Sequence, residues 1–178
     1  KLFILSFASM LVASACSRDM SIDPGKVVVR NLTQSEQKVS TAGEQFGFNL
    51  FKNMAETEES NIFISPLSVS MALGMTLNGA AGETETAMGQ TLGFAGMDQD
   101  EINKAYASLI SLLTTIDPKV TFEIANSIWA NEAFPVEQSF IDVNKNYFDA
   151  LVKVVDFGSS STPDQINNWV DEKTRGKI

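Results

Sequence analysis

The sequence predicts a mixed α and β domain in which helices dominate, on three observations. After residue 40, apolar residues recur at helical spacing in five separate runs. Two further runs, around 120–129 and 150–156, are β-branched or alternate in the manner of strands. Proline or a capping residue opens most of the helical runs, as at Ser65-Pro66 and Thr162-Pro163. With 178 residues, 44% of them hydrophobic, the chain is long enough to bury one sizeable core.

Taken in order, Lys1 precedes an apolar run from Leu2 to Val12 that ends in Ala13-Ser14-Ala15-Cys16. The run is too short to span a bilayer, and a basic start, an apolar stretch and small residues describe a secretory signal over 1–15. Small residues directly before the only cysteine resemble the lipobox of bacterial lipoproteins, in which that cysteine is lipidated. Ala13 stands where Leu or Val is usual, so a plain cut near Ala15 is the alternative to lipidation at Cys16. Residues 16–40 are polar, with Pro24-Gly25 and a brief Val27-Val28-Val29, and are expected to form a tether. Asn31-Leu32-Thr33 matches a glycosylation sequon, taken as chance in a bacterial-type chain.

Thr41-Ala42-Gly43-Glu44 has the capping-box pattern, and Phe46, Leu50, Phe51 and Met54 then share one helical face. Asn61-Ile62-Phe63-Ile64 is a short β-prone run. The helix from 66 to 78 carries no charge on any face and is expected to be buried nearly all round. Residues 83–92 form a short polar helix whose Glu83 and Glu85 suit the positive end of the helix dipole better than acid-base work. Asp98 and Glu101 cap a helix with a stripe of Ile102, Tyr106, Leu109, Ile110 and Leu113. The alternation over 120–129 predicts a strand covered on both faces, Phe140, Val143 and Tyr147 a helix, 151–156 a strand, and Ile166, Trp169, Val170 and Lys173 a last helix.

Composition excludes several chemistries. There is no histidine, hence no imidazole base, no histidine triad and no zinc site of the usual type, and a single cysteine forms no intrachain disulfide. Residues 41–178 carry eight bases and nineteen acids, with no basic cluster after Lys38, so nucleic acid is not an expected partner. No phosphate loop, Gly-x-Ser-x-Gly or dinucleotide fingerprint is present. Gly74, Gly79 and Gly82 are expected in close packing and turns, and Met71, Met75 and Met88 in the core. No enzyme activity, cofactor or metal is expected. Ser65 and Ser68, at the mouth of a helix expected to be buried, are the more interesting polar pair; local capping and a longer polar network are both open.

Three separated segments carry a resemblance. Asn61-Ile62-Phe63-Ile64-Ser65-Pro66-Leu67-Ser68-Val69 with Ala72-Leu73 and Asn78-Gly79-Ala80-Ala81-Gly82-Glu83-Thr84 is similar to the helix B signature of the serpins. Ala125-Asn126-Ser127-Ile128-Trp129 with Phe140 and Tyr147-Phe148 resembles the stretch from strand 2A through helix E. Ile166-Asn167-Asn168-Trp169-Val170 with Thr174-Arg175-Gly176-Lys177-Ile178 resembles helix F. The resemblance implies an α+β serpin fold, present over 41–178 as an N-terminal half with helices A to F and strands 6B (61–64), 2A (120–129) and 1A (151–156).

It also implies a function. A serpin inhibits a target serine protease, in some cases a cysteine protease, as a suicide substrate: the protease cleaves an exposed loop, is held as an acyl-enzyme, and is carried off as the loop inserts into sheet A. Ser65 and Ser68 would lie in the shutter region where that sheet opens. The reactive bond would follow Ile178, so the 178 residues alone are expected to inhibit nothing. Glycosaminoglycan activation is not expected, since the helix D stretch offers only Lys104. The expected location is extracellular or at the cell surface or outer membrane, with membrane contact only through a lipid on Cys16. The competing functions are a non-inhibitory carrier, chaperone or structural surface protein, and an inactive truncated product.

Overall fold

The computed structural model describes residue 27 and residues 30–178; the expected signal peptide over 1–15 and Cys16 lie outside the described residues. Six helices and one two-stranded sheet follow in the order α1 (Gln34–Ala55), α2 (Pro66–Leu77), α3 (Gly82–Thr91), α4 (Gln99–Thr115), β1 (Ser127–Asn131), α5 (Gln138–Phe148), β2 (Leu151–Val155) and α6 (Thr162–Thr174).

The first helix starts before the expected point. Thr33, not Thr41, is its N-cap: the Thr33 hydroxyl accepts the Glu36 N–H at 3.3 Å, and Glu36 Oε2 accepts the Thr33 N–H at 2.7 Å. The stretch expected as tether over 16–40 is therefore helical from Gln34. Its buried stripe is Val39, Ala42 and Phe46, so a single valine in a polar run opens the apolar face. Phe51, expected on that face, is exposed.

Helix α2 begins as its sequence predicts, with Ser65 as N-cap and Pro66 at the first helical position. It buries Ser70, Met71, Gly74, Met75 and Leu77, but Leu67 and Val69 are exposed. The expected all-round burial is met on one flank, because α1, α3, α4 and α5 pack there and no described element covers the other. Met71 and Met75 are core residues and Met88 packs against the core. Two glycines let neighbours approach: a Cβ on Gly74 would lie 3.1 Å from the Tyr106 ring, and one on Gly79 would lie 3.0 Å from the Phe140 ring. Gly82 opens α3 at φ +63°, in the left-handed region.

The core joins α1, α2, α4 and α5. At its centre Tyr106 meets Phe94 edge-on at 5.9 Å and Phe148 at 5.1 Å between ring centroids. After β1 the chain crosses over through α5 and returns as β2, giving a parallel pair in the register Ser127 with Leu151 through Asn131 with Val155. The strand expected over 120–129 is thus displaced: 120–126 is unladdered and pairing runs on to Asn131, because the five-residue β2 is the only described partner. For the same reason the β-prone run 61–64 is not a strand; no described strand lies beside it to exchange hydrogen bonds.

Candidate functional site

Two places in the fold bear on function: the mouth of α2, where Ser65 and Ser68 sit, and the parallel strand pair with α6 against it. The Ser65 and Ser68 hydroxyls are 2.8 Å apart, and Ser65 Oγ accepts the Ser68 N–H at 3.4 Å. Both serines are exposed, contrary to the expectation of a buried mouth, and among the described residues their side chains bond only to each other and to that N–H. Among the described residues local capping is what they do. Cys16 lies outside the described residues.

At the strand pair, β1 is laddered to β2 on one side and to no described strand on the other. Trp129 of β1 meets Trp169 of α6 edge-on, with ring centroids 6.3 Å apart and planes at 79°. Lys153 of β2 holds its ammonium 5.6 Å from the Trp129 ring and donates to Gln165 of α6 at 3.1 Å. Arg175, just past α6, pairs with Glu123 ahead of β1. Helix α6 is thus held by a few aromatic and polar contacts rather than by a broad apolar face.

Three polar arrangements that the sequence reading did not isolate organise the rest. Asn78 at the end of α2, Asn103 on α4 and Asn144 on α5 form a junction. Asn78 Nδ2 donates to Asn103 Oδ1 at 3.1 Å and to Asn144 Oδ1 at 3.4 Å, and Asn103 Nδ2 returns a bond to Asn78 Oδ1 at 2.8 Å. Asn103 and Asn144 are buried, and apolar periodicity gives no hint of such positions. Ser70 Oγ lies 2.5 Å from Tyr106 Oη in the core, and burial pushes the Tyr106 phenol up to about 12, so it stays neutral. Arg30 grips the buried Glu36, and the hydrogen bonds from its guanidinium hold that carboxyl far below the usual range. The capping-box spacing of Thr33 and Glu36 was the available signal for this last one.

The displaced titratable groups therefore serve structure: Glu36 and Tyr106 as above, and exposed Asp100, lowered by its hydrogen bond from Lys104. Among the described residues no group of three or more His, Cys, Asp or Glu side chains is placed to hold a metal ion, and no helix is long and apolar enough to cross a membrane.

The family model described as Serpin (serine protease inhibitor) matches residues 41–178. The chain belongs to the serpin family. Among curated relatives, Iripin-4 of Ixodes ricinus is 38% identical over 147 residues, which is 80% of this chain and 38% of that protein. The structure of human thyroxine-binding globulin complexed with thyroxine superposes with a TM-score of 0.73 at 30% identity, covering 81% of this chain and 40% of that one. Cleaved kallistatin complexed with heparin superposes at 0.74 over 80% of this chain and 43% of its own, and at 24% identity it shares the fold. The chain spans 37–40% of the length of the curated relatives it matches. The α+β serpin assignment holds for the N-terminal elements, with α1 to α6 in the places of helices A to F and β1 and β2 in those of strands 2A and 1A.

Proposed function

We propose that this serpin chain is the helical N-terminal part of a protease inhibitor that acts on serine proteases, with cysteine proteases as a second target class, by the suicide-substrate loop-insertion mechanism. The match of residues 41–178 to the serpin family carries the reading. In this proposal the reactive loop and the strands that receive it belong to residues after Ile178. Incubating the protein extended past Ile178 with trypsin-like, chymotrypsin-like and elastase-like proteases is the test. A covalent complex that survives denaturant is expected; cleavage with no such complex would mark a substrate and defeat the proposal.

A second reading, a non-inhibitory carrier, is supported by the likeness to thyroxine-binding globulin, whose structure holds thyroxine. Small residues in the loop hinge favour inhibition, whereas charged residues or proline there favour the carrier. Glycosaminoglycan activation is left out of the proposal, because Lys104 is the only cation on α4 and it is paired with Asp100 at 2.6 Å.

The proposal includes a bacterial-type origin, export by the signal over 1–15 and lipid attachment at Cys16, which would place the protein outside the cell or on its surface or outer membrane. Metabolic labelling with a lipid analogue, lost in Cys16→Ala, is the expected result; secretion without label in both chains would remove the anchor.

A further inference from the structure

We propose that Asn78-Gly79 is a latent deamidation site which the folded α2, α4 and α5 junction holds closed, so that its modification records an opening of that junction. It is the one Asn-Gly pair in the chain. Glycine has no Cβ to hinder approach of its own amide nitrogen to the preceding side chain, so local sequence alone makes this asparagine the most reactive one.

The reaction needs the Gly79 nitrogen to reach Asn78 Cγ, which requires the Asn78 side chain to swing and its ψ to turn. Every group involved is pinned. Asn78 is helical, at φ −62° and ψ −18°, and the Gly79 N–H is donated to the Thr76 carbonyl at 3.0 Å. The Asn78 amide donates to Asn103, to Asn144 and, at 3.4 Å, to the Gly74 carbonyl, while its oxygen accepts from Asn103 at 2.8 Å. Gly79 is nevertheless exposed, so water has access once these bonds are released.

In the opened junction the Gly79 nitrogen attacks Asn78 Cγ, the new C–N bond closes a succinimide, and ammonia leaves with the proton that the nitrogen gives up. Water then opens the ring at either carbonyl to give aspartate or isoaspartate. The net change is one water in and one ammonia out, with no oxidant or reductant. One oxygen of the product carboxylate can still accept from Asn103 Nδ2, but the other, in the place of the amide nitrogen, has no N–H to offer and stands against the Asn103 and Asn144 oxygens. Reclosure is therefore opposed, and the modification is one-way.

The test follows Asn78 by peptide mass mapping during incubation in one mildly alkaline buffer. Three samples are compared: the folded chain, the chain in urea, and a synthetic peptide of residues 73–84. Conversion of Asn78 in the folded chain about tenfold or more slower than in the peptide is expected, with the urea sample matching the peptide. Equal rates in the folded chain and the peptide would overturn the proposal, as would absence of conversion in urea. Converted chain, returned to buffer, is expected to melt earlier than unconverted chain; an unchanged melting curve would overturn the claim that the product blocks reclosure.

Discussion

Arg30 and Glu36 form a two-pronged ion pair, with Nη1 2.7 Å from Oε2 and Nη2 2.5 Å from Oε1, and the Glu36 side chain is buried while Arg30 remains half-exposed. The same carboxylate accepts the Thr33 N–H, and the same guanidinium donates to Ser108 of α4 at 2.9 Å. One residue pair thus ties the segment ahead of α1 to both α1 and α4. Because the folded carboxyl titrates far below its ordinary range, its contribution is present above that range and is lost as the pH falls through and below it. Glu36→Gln is expected to flatten the acid limb of stability, measured as the urea midpoint from neutral pH down to about pH 3. An acid limb as steep in the variant as in the parent would count against the pair.

The asparagine junction predicts a cost out of proportion to the size of the change. Asn103→Ala removes both bonds to Asn78 and leaves the Asn78 side-chain oxygen without its donor at a part-buried site, while the amide keeps the Asn144 and Gly74 oxygens. A loss of about 1–3 kcal/mol is expected from equilibrium unfolding. A change below a few tenths would show that water replaces Asn103 freely.

Helix α6 is expected to be separable from the core. Trp169→Ala deletes the edge-on contact with Trp129, worth about 1 kcal/mol, and leaves α6 held by Lys153 and Arg175. Hydrogen exchange should quicken over 162–174 with little change in α1, α2 and α4. Uniform quickening throughout would mean that α6 and the core unfold together.

Gly47 of α1 packs directly against Pro66 at the start of α2. A Cβ there would lie 2.9 Å from Pro66 Cβ, closer than side chains tolerate. Although alanine is the better helix former by about 1 kcal/mol, Gly47→Ala is expected to be destabilising by about 1–3 kcal/mol, because the two helices must part. Thermal unfolding decides the sign, and a stabilised variant would refute the packing argument.

Phe48, Phe51 and Phe63, which line one cleft, lie open at 75%, 48% and 100% exposure, and Leu67 and Val69 are exposed as well. Self-association of the 178-residue chain is the expected consequence, seen as dye binding and early elution on size exclusion. Monomeric elution with no dye binding would contradict it. The same chain is expected to leave trypsin-like, chymotrypsin-like and elastase-like activity unchanged.

Local patterns were legible wherever the chemistry that makes them is local. Ser65-Pro66 opens α2, Asp98 caps α4 through the Glu101 N–H at 2.7 Å, and Thr162-Pro163 opens α6, because capping and the fixed φ of proline act within one turn. The serpin signature through Asn78-Gly79 was equally legible as a pattern of residues. Tertiary structure decided the rest, because those outcomes depend on what stands opposite. Residues 61–64 and 120–126 have strand composition and no ladder, since a strand exists only with a partner. Leu67 and Val69 are as apolar as Met71 and Met75, and packing alone separates the exposed pair from the buried one. Asn78, Asn103 and Asn144 stand far apart along the chain, and only the crossing of three helices makes them one hydrogen-bonded unit.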